Sequence, residues 1–397
     1  MGRHASSPIR LLDHEQSGIS ESPYIVMLVP ACNEEAHIEA TLESLNQQTR
    51  RPDETIVILN NSTDRTEEIV SGMLPRFHGL KLLNMRENKA KKSGALNYGI
   101  RSLDLTDRMI IGEMDADTKV APDIIEEGIK EFAANPRLGG LCSRCGVKPF
   151  DECGERDPGQ RPTKWEYVVW LLQIYEYGIT DLRRAEMAGK VKVMAGAFTL
   201  YTAAALRQAA KLHTGPGEPM QVFDESSRVE DYVLTLDVRG AGFDALCGQT
   251  MRAWTDVPIT LLGPRGLFKQ RIRWYGGSVD EFRRRRFRPE IRHDVLMEAF
   301  TIYMSLSKLV AILAFLFIWL HPTINAEWGV FAVSILVLTV VVNLIMYGPC
   351  VRYMEHVPRT LQVLPLTILP IFLYRLWDEV VLFLSYVDSL TGKNQRW

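Results

Sequence analysis

The sequence predicts an α/β domain built on a mostly parallel β-sheet with helices on both faces, followed by membrane helices. From Tyr24, short apolar runs alternate with amphipathic segments at helical spacing, which is typical of a sheet covered by helices. After residue 294, three long apolar stretches follow one another. A chain of 397 residues is long enough for one large domain and such an appendage.

The predicted strands are apolar runs bounded by polar turns, as in strands buried on both faces. Because ligands of such sheets bind at the carboxyl ends of the strands, the turns that follow them are candidate site segments. The predicted strands are Tyr24–Val29, Thr55–Leu59, Leu80–Asn84, Met109–Met114, Leu138–Cys142 and Phe243–Cys247. The predicted helices are Glu34–Gln48, Ser93–Leu103, Pro122–Ala134 and Val229–Arg239. The aromatic residues of 165–177, at helical spacing, favour core over a substrate platform.

The C-terminal apolar stretches are long enough for membrane spans, since about 20 apolar residues cross a bilayer. They are Leu296–Leu320, Trp328–Val351 and Leu361–Leu384. The third contains ionisable residues, so crossing the bilayer, lying in its interface and lining a channel all stay open. The expected parts of the chain are a mobile tail (1–22), the α/β domain (23–256), a basic amphipathic interfacial segment (257–294), a membrane region of two or three helices (295–387) and a tail (388–397).

The basic residues predict how the membrane region is oriented. Arg283–Arg286 form a run shortly before the first apolar stretch, which argues against a nucleic-acid arm. The connecting loop His321–Glu327 has no Lys or Arg, whereas Arg352–Thr360 has two Arg. Because cytoplasmic loops carry the excess of basic residues, we expect a multi-pass protein of the cell membrane with its α/β domain in the cytoplasm. The expected partners include the lipid bilayer and exclude nucleic acid.

The six cysteines are expected to be reduced, because residues 1–22 contain no apolar run of signal-peptide length. Cys142, Cys145 and Cys153 lie close together in a stretch that is predicted to be a loop. A structural zinc site requires four ligands, and no second CxxC or HxxxH supplies the fourth. Loop thiols are therefore favoured over a zinc site.

An acidic pair, Asp115 and Asp117, follows the strand Met109–Met114, so both carboxylates are predicted at the carboxyl end of that strand. Two hard oxygen ligands there can hold Mg²⁺ or Mn²⁺ against a diphosphate and neutralise the charge that builds as a nucleoside diphosphate departs. A single DxD pair is weak evidence, because acidic pairs also occur in ordinary turns and helix caps.

Polar turns after other strands strengthen this interpretation. The first turn carries Pro30, Asn33 and Glu34, the second begins at Asn60, and Lys92 opens the third helix. These side chains offer hydrogen bonds to a base and a ribose, and the lysine offers a point charge to a phosphate. Each turn alone is typical of ordinary turn chemistry, but the ordered set favours a nucleotide site.

Two further motifs lie downstream. Glu230 and Asp231 start an amphipathic helix, where a carboxylate is either a partner of the helix dipole or a general base for an acceptor hydroxyl. Gln270, Arg273 and Trp274 share one helical face at i, i+3 and i+4. The arginine can grip a diphosphate and the tryptophan can stack on a sugar ring. An interfacial helix would carry the same residues.

In this order, the polar turn, DxD, the Glu-Asp pair and QxxRW resemble the motifs of family-2 glycosyltransferases, specifically the processive branch of cellulose, chitin and hyaluronan synthases. The resemblance covers about Pro23–Trp274. It implies a GT-A fold, inverting transfer from a nucleoside-diphosphate sugar, a divalent cation (Mg²⁺ or Mn²⁺), and a glycan or lipid-linked acceptor. UDP is the expected nucleotide, although Asn60 and Asn61 stand where the family usually has an acidic residue.

The resemblance also implies a role for each matching residue. Asp231 is the implied base, Asp115 and Asp117 serve donor and metal, and Glu230 stands beside the base at the acceptor. Residues of QxxRW are implied to bind the diphosphate (Gln270, Arg273) and the acceptor end (Trp274). Donor-binding roles are expected for Pro30, Asn33, Glu34, Asn60 and Lys92.

Three questions stay open. Polyprenyl-phosphate sugar synthases share the GT-A domain and a short C-terminal anchor, although QxxRW argues against this alternative. An inactive sugar-nucleotide-binding membrane protein is the other alternative, disfavoured by the intact Asp115, Asp117 and Asp231. Synthases of the branch commonly have membrane helices before the catalytic domain and none is expected here, so either a homo-oligomer closes a channel for a processive product or there is no such channel.

Overall fold

The computed structural model describes most of the α/β domain and the last helix. It covers residues 22–85, 88, 90–154, 161–186, 189–263, 266–285, 288–292, 294–296, 298–299, four single positions between 330 and 341, and 368–391. The N-terminal tail and nearly all of the predicted spans Leu296–Leu320 and Trp328–Val351 therefore lie outside the described residues.

Four parallel strands form the first half of an eight-stranded sheet, in the order β3-β2-β1-β4. They are β1 (Tyr24–Ala31), β2 (Glu54–Asn60), β3 (Leu80–Met85) and β4 (Met109–Met114). The connecting helices are α1 (Ile38–Asn46), α2 (Thr66–Met73) and α3 (Lys91–Arg101). Because parallel neighbours require crossover connections, the carboxyl ends of these strands open on one edge of the sheet. The predicted parallel half-sheet is confirmed.

The second half of the sheet is mixed, so the prediction of a mostly parallel sheet is wrong there. The remaining strands are β5 (Thr118–Val120), β6 (Leu138–Val147), β7 (Phe198–Thr202) and β8 (Asp244–Thr255). β7 lies antiparallel between β4 and β6, β8 runs parallel to β6, and β5 closes the edge antiparallel to β8. Strand β7 is only five residues long and is followed directly by the alanine-rich helix α6 (Ala203–Ala210). Its apolar pattern therefore could not be separated from that of the helix in the sequence.

The cysteine pair lies in a strand rather than in the predicted loop. β6 continues past Cys142 to Val147 through a register shift between Cys142 and Arg144, and Cys145 pairs with β8. A bulge of this kind breaks the alternation that sequence patterns rely on. In the described part of the chain, no cluster of three or more His, Cys, Asp or Glu could hold a metal ion.

Two apolar layers cover the sheet. One face packs against α1, α2 and α4 (Ile124–Ala134), and the other against α3, α6 and α7 (Glu230–Gly240). Helix α1 begins at Ile38 rather than at Glu34, because Asn33 adopts a positive φ of 59° and the chain turns once more before the helix. The aromatic segment is mostly core, as predicted: Trp170 and Tyr175 are buried in α5 (Lys164–Glu186), while Trp165 is 77% exposed.

Three long helices pack together beside the sheet: α5, α8 (Leu267–Arg285) and α9 (Ile368–Thr391). The predicted stretch Leu361–Leu384 overlaps α9, which is attached to the domain by polar groups. Tyr275 donates to Asp378 at 2.7 Å, and Arg228 lies 3.2 Å from Asp388. No described helix combines the length and the apolarity that a membrane crossing requires.

Three arginines of the basic run lie in α8, and each has a partner within the protein. The pairs are Arg283 with the Ser389 carbonyl at 2.8 Å, Arg284 with Asp224 at 3.0 Å and Arg285 with Asp237 at 2.6 Å. Arg286 lies outside the described residues. The run therefore ties α8 to α7 and α9, a use that its sequence position before an apolar stretch did not indicate.

Candidate active site

The turns after β1 and β2 are joined by backbone hydrogen bonds. The Asn33 amide donates to Ser62 Oγ at 3.2 Å, and the Thr63 amide donates to Asn33 Oδ1 at 2.7 Å. The Glu34 amide donates to Thr66 Oγ1 at 2.8 Å. Asn33 tolerates its positive φ because asparagine adopts the left-handed region more readily than most residues. These bonds make one connected rim from the two turns, with Pro30 in the strand below, paired with Ile58.

A second network leads from β2 to helix α3. Asn60 is nearly buried, and its Oδ1 accepts from Asn88 Nδ2 at 2.9 Å. The same Nδ2 donates to the carbonyl of Lys91, which has a positive φ of 51°. This turn presents Lys92, the second residue of α3, to the end of β4. Asn60 therefore helps, through Asn88, to hold the turn that positions Lys92.

Lys92 is the centre of the site. Its ammonium lies 2.5 Å from Asp115 Oδ1 and 3.9 Å from Glu230 Oε1, which joins α3, the DxD turn and the start of α7. Burial would lower the pKa of Lys92, but the carboxylates of Asp115, Glu113 and Glu230 together raise it above its ordinary value. The lysine is a permanent cation surrounded by three acids.

Glu113 is a functional candidate that the sequence analysis missed. It is the fifth residue of β4 and is 2% exposed, behind the Lys92–Asp115 pair. Burial raises the pKa of Glu113 to about 8, against the opposing effect of the Lys92 ammonium. The available signal was an acidic residue inside an otherwise apolar strand, because charged residues are seldom fully buried without a partner.

Asp117 points to the other side of the turn. Its Oδ1 accepts a hydrogen bond from Thr255 of β8 at 3.1 Å. Burial raises the pKa of Asp117 to about 7, and the carboxylates of Asp115 and Asp256 add to the effect, while Lys148 opposes it. Thr255, Asp256 and Lys148 were not predicted as neighbours of the site, because they follow strands whose pairing is decided by long-range contacts.

The donor set of the acidic turn fits a hard divalent cation. Asp115 and Asp117 supply carboxylate oxygens, the ligand type that Mg²⁺ and Mn²⁺ prefer. Burial, and then the carboxylates of Asp115 and Asp256, raise the pKa of Asp117, and a divalent cation bound there would favour the ionised carboxylate. With only two protein carboxylates, the other ligands would have to come from a diphosphate and water.

Asp231 and Glu230 open helix α7, whose position depends on α3. Buried Asn97 of α3 accepts hydrogen bonds from the amides of Val222 and Phe223, both at 2.9 Å, and so fixes the loop before α7. Burial, and then the Glu230 carboxylate, raises the pKa of Asp231 to about 6, while Lys92 and Arg273 act in the opposite direction. Asp231 is thus close to the cationic groups of both α3 and α8.

The QxxRW segment divides between surface and interior. Arg273 is exposed and close enough to Asp231 to lower its pKa, whereas Arg271 is 1% exposed. The Arg271 guanidinium lies over the Trp274 ring at 4.4 Å, and Trp274 also packs against the cluster around Tyr232. Gln270 is half-buried beside Arg271, with 3.5 Å between the amide oxygen and the guanidinium.

Residues 27–209, which include the turns, Lys92 and the DxD pair, match the family model described as "Glycosyl transferase family 2". Residues 27–209, just under half of the chain, therefore belong to glycosyltransferase family 2. Its α/β domain has the GT-A-like architecture of a curled mixed sheet. The family match ends before Asp231 and QxxRW, so any role of these residues has to be argued from geometry.

Two curated relatives of the transferase are poly-β-1,6-N-acetyl-D-glucosamine synthases. The Staphylococcus epidermidis protein is 26% identical over 310 residues, which are 77% of this chain and 64% of that protein. The Staphylococcus aureus protein is 26% identical over 263 residues, covering 66% and 56%. The chain thus spans less than two thirds of the length of these relatives.

Among solved structures, the transferase is similar in fold to the mannosyltransferase PcManGT from Pyrobaculum calidifontis in complex with GDP-Man and Mn²⁺. The TM-score is 0.56 at 20% sequence identity, over 97% of this chain and 93% of that one. At this identity, the likeness concerns the fold.

Proposed function

We propose that this glycosyltransferase moves a sugar from a nucleoside-diphosphate donor to a hydroxyl of a growing glycan, with inversion at the anomeric carbon. The observation that carries the proposal is the meeting of Lys92, Asp115 and Glu230 next to Asp231 at the carboxyl edge of the sheet. A cation for a phosphate, an acidic turn for a metal and a separate, half-buried carboxylate are the three parts such a transfer requires.

The donor end is assigned to Asp115, Asp117, Lys92 and Arg273. Asp115 and Asp117 would hold Mg²⁺ or Mn²⁺, which when bound neutralises the charge on the departing diphosphate. The two basic side chains would bind phosphate oxygens. Solved relatives in fold and the family match support a nucleotide-sugar donor, and the synthase relatives make UDP-N-acetylglucosamine the first donor to test.

The acceptor end is assigned to Asp231, Glu230 and Trp274. A sugar hydroxyl must lose its proton as it attacks the anomeric carbon, and a carboxylate with a pKa near 6 is ionised at neutral pH yet more basic than an ordinary aspartate. Glu230 lies 3.9 Å from the Lys92 ammonium, so it would hold the lysine in position relative to Asp231, the next residue of helix α7. Trp274 is proposed as a stacking surface for the acceptor end.

We also propose that the product is a polymer made at the cytoplasmic face of the cell membrane. The support is the 26% identity to poly-β-1,6-N-acetyl-D-glucosamine synthases and the apolar character of residues 296–320 and 328–351 in the sequence.

The test uses the full chain in membranes, supplied with radiolabelled UDP-N-acetylglucosamine, Mn²⁺ and a short β-1,6-linked glucosamine oligomer. The expected product is a longer oligomer with a β linkage, resolved by mass spectrometry and NMR of the anomeric proton. A polyprenyl phosphate carrying a single sugar would overturn the proposal in favour of the lipid-sugar synthase. A panel of other nucleotide sugars under the same conditions identifies the donor.

A further inference from the structure

Glu113 is a buried acid whose carboxylate feels the charge of Lys92 but accepts no hydrogen bond from the described residues. It is 2% exposed, and neither carboxylate oxygen has a hydrogen-bond partner among the described residues. A buried polar group without a hydrogen bond is costly, so such groups are rare and usually have a functional reason. A partner that reaches Glu113 in another state of the site is one such reason.

The group nearest to such a role is the Lys92 ammonium, which meets Glu113 beside Gly196. The Glu113 Oε1 atom lies 2.9 Å from the position that a Cβ on Gly196 would occupy, and the Lys92 ammonium is nearer still to the same point. The carboxylate and the ammonium therefore face one small space that exists because residue 196 has no side chain. Gly196 also holds the acidic turn, since its carbonyl accepts from the Asp115 amide at 3.1 Å.

We propose that Glu113 is a positioning residue. When Asp115 coordinates a divalent cation, Glu113 would replace Asp115 as the hydrogen-bond acceptor of the Lys92 ammonium. The lysine then exchanges partners and stays beside the donor phosphates. This inference rests on the proposed metal role of Asp115.

The physical reason is competition for one carboxylate. The Lys92 ammonium lies 2.5 Å from Asp115 Oδ1, so it occupies one of the oxygens that a cation would use. A divalent ion repels the ammonium, and the flexible four-carbon stem lets the ammonium move without backbone change. A hydrogen bond to Glu113 stabilises the displaced lysine and satisfies a buried acceptor at the same time. Without Glu113, moving the Lys92 ammonium away from Asp115 would cost more free energy, and the cation would therefore bind more weakly.

The first test measures binding of Mn²⁺ alone to the full chain in detergent, from the electron paramagnetic resonance signal of free Mn²⁺, with no donor present. Glu113→Leu should raise the dissociation constant about tenfold, since a hydrogen bond to a charged group contributes roughly that factor. Glu113→Gln keeps an acceptor oxygen and should stay within about threefold of the wild type. Thr55→Val, a hydroxyl deletion in the buried strand β2, is the matched control and should leave Mn²⁺ binding unchanged.

A double-mutant cycle with Lys92→Met shows whether Glu113 acts through the lysine. With Lys92 absent, Glu113→Leu should no longer affect the Mn²⁺ dissociation constant. An equal loss in both backgrounds, or an equal loss in Thr55→Val, would overturn the proposal. Because these readouts require no turnover, they can fail while the proposed sugar transfer succeeds, and the reverse.

A second measurement keeps Glu113 unchanged and uses a variant, Lys92→Met, only to assign a resonance. Reductive ¹³C-methylation of lysines retains their charge, and the Lys92 resonance is identified by its absence in Lys92→Met. Adding Mg²⁺ should shift the Lys92 resonance as the ammonium leaves Asp115. A Lys92 resonance that stays in place at saturating Mg²⁺ would exclude the exchange of partners.

Discussion

Arg271 and Glu176 form an ion pair in the interior, with 2.7 Å between Nη2 and Oε2, at the junction of α5 and α8. Tyr374 of α9 donates to the same carboxylate oxygen at 2.6 Å, so one acid holds three helices. Arg271 lies inside QxxRW but is not one of its named residues. The motif therefore contains an exposed side chain near Asp231, that of Arg273, and a buried side chain that joins the helices, that of Arg271.

The first prediction compares the two arginines of this segment. Arg271→Met should lower the free energy of unfolding by about 3 kcal/mol, the low end for breaking a buried pair, because Glu176 keeps Tyr374 and is 24% exposed. Arg273→Met should leave stability within about 0.5 kcal/mol because its side chain is exposed, yet reduce transfer. Denaturant unfolding and transfer assays on both variants test this, and similar stability losses would contradict it.

The second prediction concerns the base. Asp231→Asn should retain folding and donor binding and lose transfer by about 10² to 10⁴-fold, the usual contribution of general-base catalysis. Glu230→Gln should have a smaller effect, because successive residues of a helix point about 100° apart and Glu230 is turned to Lys92. Transfer rates and donor dissociation constants are the readouts. If Glu230→Gln alone abolished transfer with donor affinity intact, the two roles would have to be exchanged.

The third prediction follows from the pKa of Asp231, which burial and Glu230 raise to about 6. A base must be deprotonated, so kcat/KM should be level above pH 7 and fall about tenfold per pH unit below pH 5. Mg²⁺ is kept saturating, so that protonation of Asp117 does not limit the rate. A profile that is flat from pH 5 to pH 8 would argue against a carboxylate base with this pKa.

The fourth prediction concerns Asp117, whose pKa burial and nearby carboxylates raise to about 7. Because a metal ligand must be deprotonated, the Mn²⁺ concentration for half-maximal donor use should fall as pH rises from 6 to 8. Asp117→Asn should remove most of this pH dependence and weaken metal-dependent donor use, since an amide is a poorer ligand for a hard cation. Turnover with unchanged cation dependence in Asp117→Asn would remove the acidic pair from the mechanism.

The fifth prediction tests the space beside Gly196. A methyl group there would push against the Lys92 ammonium and Glu113 Oε1, both ends of flexible side chains, so Gly196→Ala should cost under about 1 kcal/mol of stability. Transfer should nevertheless fall at least tenfold, because the methyl group would fill the space that the Lys92 ammonium and the Glu113 carboxylate both face. Gly72→Ala is the matched control, since nothing lies within 4 Å of its added carbon. Equal activity in the two variants would contradict this account.

Much of the parallel half of the fold could be predicted from the sequence. The strands at Tyr24, Glu54, Leu80 and Met109 are mostly apolar, and they determine that the turns at Asn33 and Asn60 and the acidic pair share one edge. β7 escaped prediction because its place between β4 and β6 depends on packing against both faces of the sheet. The same applies to Cys145, which a bulge in β6 carries into the sheet.

The sequence by itself determined which chemistry this protein carries: acids after a strand, a lysine at a helix start, a Glu-Asp pair and QxxRW. Local periodicity records such features because it reflects which side of a strand or helix meets the core. Only the tertiary structure decided that Lys92 lies between Asp115 and Glu230, and that Glu113 is buried behind them. Those contacts join residues far apart in the chain, and their distances depend on how whole helices pack on the sheet.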